Sequence, residues 1–205
     1  VATITFTSIS SARAHHARGA VDWSIVRSMA PGLVAGSLVG PQIASALPAR
    51  TMAAVFTLFM WFTAFRMVRN APPKPSRELP GAAGLFGVGA GIGLLSGIVG
   101  AGGAFLSVPF MVRCNVRMHT AVATSAALGL PIALAATVGF VYAGLGRTGL
   151  PPHSVGYVYL PALAAFVAAS MLSAPLGARV AHSWDVVRLK RVFAVLMFAL
   201  GCYMA

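Results

Sequence analysis

Glycines and hydroxyls, with no carboxylate among them, are the residues of this 205-residue chain whose spacing could do chemistry. Ser96-Gly97-Ile98-Val99-Gly100-Ala101-Gly102-Gly103 is followed by Ser107 and Pro109 and, one apolar segment later, by Thr124 and Ser125. Glycine takes the backbone angles that a sharp reversal needs. A helix starting near Gly103 would aim free N–H groups and the positive end of its dipole at the turn, which favours a small anion. In that reading Gly97, Gly100, Gly102 and Gly103 shape the turn, Ser107, Thr124 and Ser125 offer hydroxyl donors, and Pro109 closes the run. The plainer use of the same glycines is packing, since the spacing of Gly89, Gly93 and Gly97 lets helices approach closely.

Other chemistries find little support. Gly93-Leu94-Leu95-Ser96-Gly97 is superficially similar to a serine-nucleophile loop, but no His sits on a clearly intramembrane stretch to act as base. There is no phosphate-binding Gly-x-x-x-x-Gly-Lys-Ser/Thr loop, and the glycine run lacks the dinucleotide-binding spacing. Cys114 and Cys202 have no paired spacing, which implies neither a disulfide framework nor a metal site. No catalytic residue, metal or cofactor is expected. His119 and His153 fall at predicted helix ends. His15, His16 and Arg18 would either gather anions at a mouth or, as is more usual, anchor topology.

The elements that must position these residues are membrane helices. The chain is 58% hydrophobic and 9% charged, where soluble domains carry about 25% charged residues. Uncharged runs of 34, 29 and 31 residues separate Glu78 from Arg113, Arg117 from Arg147, and Arg147 from Arg179. Each exceeds the roughly 20 residues that cross a bilayer. The net charge of +12 sits in short clusters between apolar runs, as the positive-inside rule predicts, and does not point to nucleic acid. Seven apolar segments follow, at about 1–12, 28–48, 51–67, 81–112, 119–144, 155–178 and 190–205. In lipid they must be helices. Pro31, Pro41, Pro109, Pro131, Pro161 and Pro175 inside them predict kinked or broken ones. Trp23 and Trp184, at loop edges, suit interfacial anchors. Asp22, Glu78 and Asp185 all fall in loops, so no carboxylate relay crosses the membrane.

Counting Lys and Arg by loop decides the topology. If every segment crosses once, the two sides carry eight and seven. If 81–112 enters and leaves by the same face, they carry thirteen and two. That asymmetry predicts a re-entrant hairpin of two half-helices, its turn near the midplane and the basic loops cytoplasmic.

The halves also echo each other. Val1-Ala2-Thr3 matches Val122-Ala123-Thr124, Gly36–Pro41 matches Ser170–Pro175, and Val55–Met60 matches Val192–Met197. The offsets are 121, 134 and 137. Thr3 thus becomes the counterpart of Thr124 and a further candidate site residue. The expected organisation is a first repeat over 1–70, a cytoplasmic linker over 71–80, and a second repeat over 81–205 led by the hairpin at 81–112. The chain opens inside an apolar run at Val1 with no basic region before it. We therefore expect a truncated start and a missing Gly-rich hairpin upstream. An odd number of crossings per half would invert one half against the other, a transporter architecture. The fold class expected is all-α: a polytopic membrane protein with an inverted-topology repeat and a Gly-rich broken or re-entrant helix hairpin.

Leu95–Pro109 resembles the Gly-rich signature of the sulfite exporter TauE/SafE family, and Ala121-Val122-Ala123-Thr124-Ser125 resembles its following helix. Ser10–Trp23 is similar to the family's early basic loop, and Gly149–Val158 to its late loop. The resemblance covers nearly the whole chain, in the family's order. It implies a bacterial inner-membrane permease of small anions, sulfite-like or organosulfonate, with export the expected direction. This sequence departs from the pattern at Ile4, where the second copy has Ser125. The partners implied are the lipid bilayer and a small anionic substrate, not nucleic acid, and a homo-oligomer is compatible. The alternative is a non-transporting membrane subunit or assembly partner whose glycines serve packing alone.

Overall fold

A computed structural model describes residues 2–69, 77–100, 102–183 and 186–204. Most of the expected 71–80 linker, together with Ala101, Trp184 and Asp185, lies outside them. The chain forms α1 (Ala2–Ala17), α2 (Trp23–Ala46), α3 (Ala49–Arg69), α4 (Ala82–Val99), α5 (Ala104–Arg113), α6 (Met118–Gly144), strands β1 (Ser154–Val155) and β2 (Val158–Tyr159), α7 (Leu160–Ser183) and α8 (Val186–Met204). The described residues make an all-α fold with a small β-hairpin. By length and composition, α4 and α6 can each cross a membrane.

Two compact units divide it: residues 1–46 with 73–163, and residues 47–72 with 164–205. In the first, glycine sets the spacing of the helices. Gly32, Gly36 and Gly40 of α2 face the carbonyls of Phe86, Ala90 and Leu94 on α4. In return, Gly89 and Gly93 face those of Met29 and Leu33. A Cβ at any of these positions would strike backbone. The residue pairs rise together, so α2 and α4 run parallel. Ser37 Oγ links them by donating to the Gly93 carbonyl at 3.2 Å.

Helix α2 also runs parallel to α6. The Asp22 N–H donates to Thr124 Oγ1 at 3.0 Å near one end, and Gln42 Nε2 donates to the Gly139 carbonyl at 3.1 Å near the other. Asp22 caps α2, its Oδ1 accepting from the N–H groups of Ser24 (3.0 Å) and Ile25 (3.3 Å). Helix α1 runs antiparallel to α6, because Ser8 lies beside Gly129 while the chain beyond α1 reaches back to Thr124. Met29, Leu33, Met111 and Leu128 are fully buried between these helices.

These directions bring the end of α1 and the starts of α2, α4 and α6 to one end of the unit. Arg13, Arg18, Arg27, Arg77, Arg113 and Arg117 gather there, and Arg147 stands beyond the opposite end of α6. The Arg77 N–H donates to the Arg113 carbonyl at 3.2 Å, so the chain entering α4 and the chain leaving α5 lie side by side.

Local structure adjusts the expectation at four points. The two arms between Glu78 and Arg113 are unequal, α4 having 18 residues and α5 having 10. At 1.5 Å per residue they measure about 27 and 15 Å. The turn contracts to Gly100–Gly103, because Ser96–Val99 continue α4. Helices α2, α5 and α6 are continuous through Pro31, Pro41, Pro109 and Pro131, and the residue that ends α4 is Gly100. The start of the 155–178 segment is a hairpin: Val155 pairs with Val158 across a turn at Gly156, whose φ of 56° suits glycine.

In the second unit α3 and α8 are antiparallel. Thr57 Oγ1 donates to the Gly201 carbonyl at 3.4 Å, and Trp61 stacks on Phe198 with centroids 5.8 Å apart.

Candidate functional site

The reversal between α4 and α5 begins at Gly100, where a φ of 72° ends α4 and its N–H donates to the Ser96 carbonyl at 2.8 Å. L side chains rarely adopt that conformation, and glycine holds it without strain. Gly103 starts α5, and its carbonyl accepts the N–H groups of Leu106 (3.1 Å) and Ser107 (2.9 Å). A Cβ on Gly103 would lie 2.7 Å from Ile132 Cδ1, about halfway along α6. The first turn of α5 therefore opens at the middle of the longest helix.

A cavity of about 330 Å³ lies there, lined by Ile4, Thr7, Ser8 and Ser11 of α1, Gly102, Gly103 and Ala104 of the turn, and Ser125, Ala126 and Gly129 of α6. It falls within the size range of small-ligand pockets, about 300–1,000 Å³. None of the lining residues is titratable. Behind the wall, Ser107 Oγ and Ser125 Oγ are 2.6 Å apart, and Ser107 Oγ donates to the Gly103 carbonyl at 2.9 Å. Thr7 Oγ1 donates to the Ile4 carbonyl at 3.0 Å. Ser8 is 8% exposed, and its hydroxyl has no hydrogen-bond partner among the described residues.

Of the residues singled out from the sequence, Gly102, Gly103 and Ser125 line this cavity, and Ser107 supports it from behind. Gly97 packs against Gly40 and Pro41 of α2 instead, and Gly100 shapes the turn. Thr124 is fully buried and holds the Asp22 N–H. Pro109 lies within α5, and neither it nor Thr3 is among the lining residues. Sequence reasoning missed Thr7, Ser8 and Ser11. Their signal was present: with Ile4 they fall at three- and four-residue intervals, a polar stripe on an apolar helix.

A family model described as Sulfite exporter TauE/SafE matches residues 1–204. The chain belongs to the TauE/SafE family. A relative from Haemophilus influenzae (strain ATCC 51907 / DSM 11121 / KW20 / Rd), described as "Probable membrane transporter protein", is 29% identical over 205 residues. The match covers 99% of this chain and 77% of that protein. No solved structure matches the chain. As a TauE/SafE member, the protein is a membrane transporter. Its apolar exterior accordingly meets lipid: Phe62, Phe65, Val138, Phe166 and Leu172 are all more than half exposed.

Proposed function

We propose that this TauE/SafE protein is a permease of small oxyanions, sulfite or organosulfonates, exporting them across a bacterial inner membrane with its basic loops cytoplasmic. The observation that carries the reading is the open, largely apolar cavity at the first turn of α5, bordered by Thr7, Ser8, Ser11 and Ser125, where the positive end of the helix dipole favours negative charge. The cavity has no carboxylate to repel an anion and no acid–base group to move a proton. With the cell interior negative, export releases about 2.3 kcal/mol per charge per 100 mV, without a coupling ion.

In this reading 81–112 is re-entrant. The hydrogen bond from Arg77 to Arg113 and the six arginines at one end of the first unit support it. So does the position of Gly103 beside the middle of α6. The inverted repeat has support within each unit separately. Ser8 and Gly129 are counterparts at the offset of 121, and Trp61 and Phe198 at the offset of 137. Each residue lies against its own counterpart, in helices running antiparallel, as positions on a two-fold axis must. Ile4 and Ser125, counterparts that line the same cavity, make the site chemically one-sided.

The test is efflux of sulfite and sulfoacetate from proteoliposomes. The expected result is flux that Gly102→Leu abolishes. A folded protein that moves neither anion but retains a co-purifying partner would favour a non-transporting subunit.

A further inference from the structure

The cavity's hydroxyls differ in which way their protons point. The Gly103 carbonyl can only accept, so the bond from Ser107 Oγ commits the one Ser107 proton to it. The 2.6 Å contact with Ser125 then needs a proton from Ser125. With that proton turned inward, Ser125 Oγ shows the cavity only lone pairs. Thr7 is in the same state, its proton spent on the Ile4 carbonyl. Reversing the chain, so that Ser107 donates to Ser125 and Ser125 to the ligand, would give up the bond to Gly103. The donors left for a ligand are Ser8, a residue 8% exposed whose side chain makes no hydrogen bond among the described residues, Ser11, and the Ala104 N–H at the start of α5.

From this polarity we propose that the site selects an oxyanion that still carries a proton: a monoanion whose O–H donates to Ser125 Oγ while its charged oxygens accept from Ser8 and the start of α5. The proposal rests on reading the cavity as the anion site. A fully deprotonated oxyanion offers acceptors only, and one of them would face the Ser125 lone pairs. That mismatch leaves a buried polar group unpaired, which discriminates by roughly tenfold or more.

The pH dependence then belongs to the ligand. On the elements around the cavity the titratable and charged groups are Arg13, His15 and His16 on α1, Asp22 and Arg27 at the start of α2, Arg113 on α5 with Cys114 at its end, and Arg117, His119 and Tyr142 on or beside α6. None lines the cavity. His15, one helical turn beyond Ser11, falls on the same face of α1 and calls for a His15→Gln control.

Equilibrium binding to the purified full chain tests the idea with two charge-matched monoanions, hydrogensulfite and methanesulfonate, of which only the first has an O–H. The wild type is expected to bind hydrogensulfite roughly tenfold more tightly. Sulfite affinity should fall as pH rises through the ligand's own second ionisation, in the wild type and in His15→Gln alike. In Ser107→Ala the Ser125 proton is freed to donate, so the preference for hydrogensulfite should vanish. Ser125→Ala should remove it too, by deleting the acceptor. Equal binding of the two anions by the wild type would overturn the proposal. A preference that survives both serine variants would do the same, since it would then be general to anions and not built by this pair. If instead Gly102→Leu weakens neither anion, the anion-site reading itself fails, an outcome distinct from the others.

Discussion

Gly102 and Gly103 are neighbours with opposite demands. A Cβ added at Gly102 meets nothing within 4 Å, whereas one at Gly103 meets Ile132 Cδ1 at 2.7 Å and Ser96 Oγ at 3.3 Å. Gly102→Leu should therefore fill the cavity and stop flux with a melting temperature close to wild type. Gly103→Ala should lower stability by about 1–3 kcal/mol through overpacking, which thermal unfolding in detergent would register. Cys114, buried at the end of α5, makes a second residue-scale case. Burial pushes its thiol pKa up, and the nearby Arg77 guanidinium offsets this only in part. A raised pKa means less thiolate at neutral pH, so maleimide labelling of Cys114 should lag behind a free thiol and recover only as pH rises or the protein unfolds.

At the scale of elements, α2 and α4 are held by backbone contact, so their tolerance for side chains is low. Gly36→Leu would drive a branched side chain into the Ala90 carbonyl and the Leu94 N–H. We expect it to abolish folded yield, read by size-exclusion chromatography, while Gly91→Leu, on a face where an added Cβ meets nothing, should express normally. The hairpin makes a separate prediction. Single cysteines replacing Arg77 and Arg113, in a background lacking the native cysteines, should react with an impermeant reagent from the same side of sealed vesicles. Reaction from opposite sides would remove the re-entrant geometry and with it the midplane position of the cavity.

For the whole molecule, the absence of any titratable group from the cavity bears on energetics. Efflux of methanesulfonate, which carries no ionisable proton, should follow the imposed membrane potential in proteoliposomes and persist when the proton gradient is collapsed at clamped potential. Methanesulfonate flux that tracks the proton gradient instead would require an ionisable relay that the cavity lining does not contain.

Much of this architecture is written in local composition. Long uncharged runs dictate helices, because backbone groups in lipid have no water to bond. The arginine clusters foretold which helix ends of the first unit lie together, since charge cannot be left within hydrocarbon. The glycine run marked the reversal for a local reason too: glycine holds the φ found at Gly100 without strain. What tertiary structure alone decided is which small residues face a helix and which face space. Gly97 and Gly102 are alike in sequence, yet one packs on Gly40 and the other borders a cavity. Thr124 and Ser125 are adjacent, but a 100° step around the helix turns one toward Asp22 and the other toward the cavity. The hydroxyl chain was likewise illegible, because it depends on Ser107 of α5 bonding back to the Gly103 carbonyl and meeting the Ser125 hydroxyl of α6, 18 residues away.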